Sequence, residues 1–280
     1  MPVFPLHDKM QPDEFLLSKK GQVMKKIVAF IGSARKGNTY KAVKQFLDNL
    51  QTYGEVEVEM VMLGKYQLGI CRGCRLCFKK GEEFCPLKDD RDVLMEKIKN
   101  SDGVVFASPN YSWQMSGLMK VFLDRFGFAI HRPRYFGKTF TSIVTQGIGR
   151  GNHIVKYFDF LGKSLGFNTV TGTCVTALNP ITEKDQKKIE QAMAKLSRRF
   201  YAKLVKPVYP VPSLLMLATF RMSRSSIKME LNNTSRDYRY YAEMGWLESD
   251  FFYPSRLGPM KKAAGKLFDR ITSTIRKLFA

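Results

Sequence analysis

Four of the chain's five cysteines lie between Cys71 and Cys85 with the spacing C-x2-C-x2-C-x7-C, closed by Pro86. Thiolates are soft donors that suit iron–sulfur clusters and zinc. Three cysteines at successive x2 intervals can wrap one face of a cubane, and a more distant fourth can close it. The bacterial ferredoxin run also uses a compact triplet and a Cys-Pro ending. Structural zinc sites more often use two separated C-x2-C pairs. Cys71, Cys74, Cys77 and Cys85 therefore suit a [4Fe–4S] cluster better than zinc, with free or regulatory thiols as the remaining reading. Lys65, Arg72, Arg75, Lys79 and Lys80 surround the loop. They would offset the negative charge of a thiolate-ligated cluster, or simply form a solvated basic face.

Two further stretches hold residue types that grip small anionic ligands. "GSARKGNT", Gly32 to Thr39, offers hydroxyl and amide donors at Ser33, Asn38 and Thr39, a charge at Arg35, and an open backbone path at Gly32 and Gly37. These are the groups a phosphate needs, together with a helix N-terminus. The stretch is neither G-x-G-x-x-G nor a G-K-[ST] loop, which disfavours dinucleotide-type and P-loop sites. An ordinary capped turn is the plain alternative. "SPNYSWQMSGLMKVFLDR", from Ser108, puts Pro, Asn, Tyr and Trp into one loop. That loop supplies an apolar ledge and backbone amides for a flat heterocycle, unless Trp113 merely packs on a neighbour.

The elements that must position these loops alternate. Apolar runs at "KKIVAFIG", "VVFAS" and "KTFTSIVTQG", with "EVEVEMVML" and "NTVTGTCVTA", read as five strands. Between and after them, "YKAVKQFLDNL", "DDRDVLMEKIKNSDG" (closed by Gly103), "SGLMKVFLDRFG", "NHIVKYFDFLGKSLGF" and "TEKDQKKIEQAMAKLSRRFYAKL" (begun by Thr182) have helical spacing. Such alternation predicts a three-layer α/β sandwich with a five-stranded parallel sheet. Its ligand loops belong at the carboxyl ends of the strands. Both stretches above fall there, and so does the cysteine loop after strand two. Asp89 and Asp90 open a helix and read as caps. Cys174 reads as inert core. The three histidines offer no legible Ser-His-Asp set, and His131 reads as a surface or packing residue.

The 280-residue chain carries a formal net charge of +21. The excess is spread along the sequence, and no block of like charge resembles a nucleic-acid tail. Residues 1–24 read as a leader without the features of a signal peptide, and no apolar run approaches a membrane span. A cytoplasmic location is the expectation, and reduced thiols go with it. The three prolines of "KPVYPVP" mark a boundary, so residues 25–206 form the main domain and 207–280 a C-terminal extension. That extension is rich in aromatics, few of its residues favour strands, and one helix is evident near its end. In that helix Ala263, Ala264, Leu267, Phe268, Ile271, Ile275, Leu278 and Phe279 share one arc, with Lys262, Lys266, Asp269, Arg270 and Lys277 opposite. A basic amphipathic helix of this kind packs on its own domain or on a second subunit, or makes peripheral contact with an anionic membrane. The aromatics of "RDYRYYAEMGWLESDFFYP" would cap a neighbouring subunit's site or shape a substrate pocket.

Taken in order, "GSARKGNT", the cysteine loop running into "CPLKDD", and "SPNYSWQMSGLMKVFLDR" resemble the NADPH-dependent FMN reductase and iron–sulfur flavoprotein branch of the flavodoxin-like superfamily, over roughly residues 25 to 200. The resemblance implies FMN, with its phosphate at Ser33, Arg35, Asn38 and Thr39. Its ring would lie against Pro109, Asn110, Tyr111 and Ser112, approached from the other side by Thr145, Gln146 and Gly147. Ala34 stands where the family commonly has proline. The resemblance further implies a four-cysteine cluster and an electron route, within the chain or across a subunit interface of a homo-oligomer. The expected reaction passes electrons from ferredoxin or a similar donor through the cluster and FMN to an acceptor. The alternatives are a cluster-free NAD(P)H-dependent reductase of FMN, quinones or nitro compounds, and a non-enzymatic flavin electron carrier. Nucleic-acid binding is disfavoured.

Overall fold

The computed structural model describes residues 24–206 and 209–279; apart from Met24, the leader lies outside the described residues. Strand β1 (Lys25–Ile31) is apolar from Ile27 onward because both of its faces are covered there. Val28 and Phe30 enter one apolar cluster, whereas Ile27, Ala29 and Ile31 enter the other. It pairs in parallel with β2 (Val56–Met62) on one side and β3 (Gly103–Tyr111) on the other. Beyond β3 lies β5 (Thr139–Gln146), also parallel. Helices α1 (Asn38–Gln51) and α7 (Glu183–Leu204) cover one face of the sheet. The other face carries α3 (Arg91–Lys99), α4 (Gly117–Asp124) and α6 (Asn152–Ser164). This is the expected α/β sandwich of flavodoxin-like form.

Two local differences from the expectation have physical causes. The fifth strand is divided into β6 (Asn168–Thr169) and β7 (Thr173–Thr176), both parallel to β5. Phe140 pairs with Thr169 but Ile143 with Thr173, so one extra residue bulges between them. At the bulge the Gly172 N–H is taken by Asp159 Oδ1 at 3.1 Å. Helix α3 stops at Lys99, and Gly103 opens β3 rather than closing the helix. A Cβ on Gly103 would meet the Phe200 ring at 2.7 Å, so the glycine admits α7 close to the sheet. Thr182 begins α7 as expected, its side chain accepting from Asp185 N.

After α7, residues 209–213 carry no helix or strand. Three helices follow rather than one: α8 (Leu214–Glu230), α9 (Arg236–Glu243) and α10 (Pro259–Phe279). The aromatics expected to cap a neighbouring subunit's site or to shape a substrate pocket build a core of their own. Tyr241, Trp246 and Phe251 are buried with Leu217, Phe220 and Leu257. Trp246 Nε1 donates to Phe252 O at 2.8 Å, which satisfies the indole inside that core. Among the described residues no helix is long and apolar enough to cross a membrane.

Candidate functional site

At the carboxyl end of β1 the chain turns through Gly32, and only glycine fits. A Cβ there would lie 2.7 Å from Met119 Cβ and 2.8 Å from Ser116 Oγ. Ser116 caps α4 by accepting from Met119 N, and its hydroxyl donates to Gly32 O at 2.5 Å. The first loop is thereby pinned to the start of α4. Helix α1 then begins after Gly37, which has no side chain to satisfy the helix's first N–H groups. Unpaired N–H groups and the helix dipole favour an anion at that point. Arg35, Lys36 and Lys41 border the same hollow, and among the described residues no carboxylate does.

This hollow is a cavity of about 410 Å³ at the strands' carboxyl edge, of the size that holds small-molecule ligands. Ser33, Arg35, Asn38 and Thr39 line it from the first loop. Pro109, Asn110 and Tyr111 line it from β3, and Thr145, Gln146 and Gly147 from the end of β5. Hydrogen bonds hold the wall. Thr39 Oγ1 and Thr145 Oγ1 lie 2.6 Å apart, Asn38 Nδ2 donates to Ala177 O at 2.9 Å, and Gln146 Oε1 accepts from Gly151 N at 2.6 Å. Asn110 Oδ1 is buried without a partner among the described residues, an acceptor left for a ligand N–H. The donor set, the charge and this unsatisfied acceptor fit FMN. Lys36, Lys41, Ala177 and Asn179 also line the cavity and were not among the expected residues. The strand-edge rule points to Ala177 and Asn179, because they follow the last strand.

Ser112 alone of the expected flavin residues does not line the cavity. The loop it was assigned to is largely strand. β3 continues to Tyr111 and folds back as β4 (Gln114–Met115), with Asn110 paired to Met115 and Tyr111 to Gln114. Ser112 and Trp113 form the two-residue turn, at φ 48° and 60°. Two successive positive φ values match a type I′ hairpin, which normally uses Asn-Gly. A tryptophan there is strained, and such strain clusters at ligand clamps. The turn holds Trp113 and Tyr111 exposed rather than packed on a neighbour.

The cysteine loop departs from β2 and is anchored at its far end. Asp89 accepts from Gly69 N at 2.8 Å and from Arg91 N at 3.2 Å, and it pairs with buried Arg125. Asp90 accepts from Gln67 N at 2.7 Å and makes no side-chain cap. The two carboxylates thus clamp the loop; Asp89 also takes the first N–H of α3, but Asp90 does not cap the helix as expected. Cys71, Cys74, Cys77 and Cys85 all border one small cavity, walled by Arg91, Arg125 and Phe128. None is in a disulfide. Gly73 and Arg75 adopt left-handed backbone between the thiols, which reverses the chain around that cavity. Arg125 Nη2 donates to Cys85 Sγ at 3.6 Å. Burial pushes the Cys77 thiol up, against the nearby Arg132 charge. Among the described residues, no three Cys, His, Asp or Glu side chains stand in position to share a metal ion. The donor chemistry and the common cavity fit a thiolate-ligated metal, with Cys71 and Cys74 exposed and Cys77 and Cys85 half-buried.

The loop also lies elsewhere than its place after strand two suggested. Its cavity reaches Asp124 and Arg125 at the end of α4, while the larger cavity lies at the β1 turn that the start of α4 pins. The 8 residues of α4 span about 12 Å at ~1.5 Å each. The two cavities share no lining residue. Buried Arg132 ties the loop to the C-terminal helices: it pairs with Glu82 at 2.9 Å, donates to Cys77 O at 2.9 Å, and pairs with Asp237 of α9. His131 packs on Phe78 and contacts Asp237 at 3.0 Å, a packing role. Cys174 lies in β7, and burial pushes its thiol up to about 11.

A profile of the NADPH-dependent FMN reductase family matches residues 25–177. An iron–sulfur flavoprotein of Archaeoglobus fulgidus is 30% identical over 233 residues, 79% of this chain and 100% of that protein. An iron–sulfur flavoprotein of Clostridioides difficile is 29% identical over 180 residues, 62% of this chain and 77% of that protein. Among solved structures, an NAD(P)H:quinone oxidoreductase from Methanothermobacter marburgensis matches with TM-score 0.50 and 15% identity, over 63% of this chain and 96% of that one. That last likeness is one of fold.

Proposed function

The chain belongs to the NADPH-dependent FMN reductase family, and from that membership we propose how this flavin-dependent oxidoreductase works. FMN is its cofactor. Residues 25–206 carry the flavin site, and 207–280 form the extension. The observation that carries the reading is the single cavity in which the α1 N-terminus, Arg35 and Lys41 meet Pro109, Asn110 and Tyr111.

In this reading the phosphate is held by Ser33, Arg35, Asn38 and Thr39, and Lys36 and Lys41 add charge. Pro109, Asn110 and Tyr111 support one side of the ring, with Ser112 holding their hairpin turn, and Thr145, Gln146 and Gly147 approach the other. Bound FMN supplies the electron-accepting chemistry, which is why no protein acid or nucleophile is needed at its centre. Cys71, Cys74, Cys77 and Cys85 hold a [4Fe–4S] cluster, and Arg125 donates to one of the thiolates. The donor would be ferredoxin or a similar protein, and the cluster and FMN would supply the electron-transfer chemistry between it and an acceptor. Four thiols on one cavity support this. The separated thiols support a second reading, a cluster-free reductase using NAD(P)H directly.

Anaerobic purification with flavin, iron, sulfide and zinc analysis, followed by stopped-flow reduction with NADPH, separates the two. Bound FMN, four irons per chain and slow reduction by NADPH are expected. Iron-free yellow protein reduced rapidly by NADPH selects the second reading. A colourless protein that cannot be reconstituted with FMN removes both.

A further inference from the structure

One buried arginine closes the base of the cysteine loop. Arg125 directly follows α4, and its side chain is 2% exposed. Its guanidinium is held from both ends of the loop. Nη1 donates to Gly69 O at 2.9 Å, just before the first cysteine. Both Nη atoms donate to the Asp89 carboxylate, just after the last one. Asp89 in turn accepts from Gly69 N and Arg91 N, so the ion pair locks residues 69 and 89 side by side. A planar fork held at these points has one orientation. That orientation leaves an N–H of Nη2 for Cys85 Sγ, 3.6 Å away.

The other buried arginines near the thiols are engaged elsewhere. Arg91 donates to Glu82 O and to Asp92. Arg132 reaches Cys77 at its carbonyl and not at its sulfur. Among the described residues, no other side chain donates to any of the four sulfurs. The thiols are therefore unequal. Cys71 and Cys74 are exposed, Cys77 and Cys85 are half-buried, and Cys85 alone has a side-chain donor at sulfur.

These contacts bear on the cluster reading, and the inference rests on it. We propose that Arg125 is a positioning residue that raises the cluster's reduction potential through its hydrogen bond to the Cys85 thiolate. Uptake of one electron adds one negative charge to the cluster and its four thiolates, while no bond to the protein forms or breaks. A donor aimed at a ligand sulfur stabilises the more negative, reduced state more than the oxidised one. Burial of Arg125 strengthens the effect, because water does not compete for its N–H groups. Asp89 cancels most of the arginine's charge at a distance. What acts on the cluster is thus the directed N–H rather than a free cation.

The test is EPR-monitored potentiometry of the anaerobically purified full chain, with iron and flavin contents measured on the same samples. Arg125→Lys keeps a cation for Asp89, but one ammonium cannot serve Asp89, Gly69 O and Cys85 together. Its cluster should be about tenfold less reduced at a fixed potential, a fall of ~59 mV for one electron. The flavin potential should stay where it is, since Arg125 does not line that cavity. In wild-type protein labelled with nitrogen-15 arginine, electron spin-echo spectra of the reduced cluster should show a coupled arginine nitrogen. A full iron complement with an unshifted potential in Arg125→Lys overturns the proposal and leaves the cluster reading standing. An equal shift at the flavin, the mark of a general structural change, overturns it too. So does labelled wild-type protein without an arginine coupling, a result that decides the matter even where the variant loses its iron. Iron-free wild-type protein instead overturns the cluster reading, and the proposal with it.

Discussion

Replacing Arg132 with leucine should be among the most damaging single changes available outside the two cavities. Its guanidinium is fully buried and pairs with Asp237, itself only 6% exposed, and with Glu82. Arg132 Nη2 also donates to Cys77 O. Leucine would leave the Asp237 carboxylate buried with only the His131 contact at 3.0 Å. Removing one partner of a buried ion pair costs about 3–5 kcal/mol, because the other charge stays desolvated. For a domain of this size that is on the order of 10 °C in Tm. Differential scanning calorimetry of Arg132→Leu, Asp237→Leu and the double variant, at constant flavin loading, measures it. The double variant should lose far less than the sum of the singles, because no unpaired charge remains. Accessibility of Cys77 to a thiol reagent in metal-free protein should rise in Arg132→Leu, since its backbone tether is gone. A single variant melting within a degree of the parent would refute the reasoning. Strict additivity in the double variant would refute it equally.

Gly172→Ala should destabilise by roughly 1–3 kcal/mol, read by urea unfolding, because its Cβ would lie 2.1 Å from Ser142 Oγ and 2.5 Å from Ser142 O. In metal-free protein at pH 8, iodoacetamide should modify exposed Cys71 and Cys74 well before Cys174, whose thiol burial pushes up to about 11; mass mapping reads the order. Stability should fall with acid. Burial pushes the Glu82 carboxyl up, but Arg134 and Arg132 outweigh it and hold the group below the usual range. Asp89 is likewise held low, against burial, by Arg125 and the N–H groups of Gly69 and Arg91. Folded values below the unfolded ones contribute stability that is complete above pH ~4 and lost as pH falls through the folded values. Midpoints of unfolding between pH 6 and roughly 3 check this, and Arg134→Gln should flatten the acid limb.

The flavin cavity was legible because strand–helix alternation leaves little freedom about where the loops go. Ser33, Pro109 and Thr145 sit at strand ends and Thr39 in the first turn of α1, and parallel strands bring those ends together. Ser112 escaped because the reading saw a loop where β3 continues into a hairpin, and nothing in "YSWQ" announces an I′ turn. Helices α8 and α9 escaped for a different reason. Their inward positions include Arg221, Arg224 and Asp237, which are buried in ion pairs rather than packed as apolar residues. Periodicity counts such positions as solvent-facing. The same ion pairs explain α10. Its apolar stripe was visible in the sequence, but periodicity finds a stripe without saying what covers it. Asp269 and Gly265 decide the face that docks on α8 instead.

The spacing of the cysteines carries the same lesson. The x7 gap before Cys85 is longer than a compact cluster motif requires, and as sequence "FKKGEEF" suggests only a polar excursion. In the structure, the gap turns at Gly81 into a short helical turn, Glu82–Phe84. Gly81 has φ 148°, and a Cβ there would meet the Glu83 carboxylate at 2.3 Å. The turn presents Glu82 to Arg132 at 2.9 Å and to Arg134 at 2.6 Å, and Glu82 O accepts from Arg91 at 2.8 Å. Nearby, Lys80 O accepts from Arg239 of α9 at 3.0 Å. Without those residues the fourth thiol would follow the triplet directly, but the loop would lose its contacts to Arg91 of α3 and to Arg239 of α9. The extra length fastens the loop to α9. A change in how α9 sits would therefore reach Cys77 through Arg132 and Cys85 through the turn that precedes it.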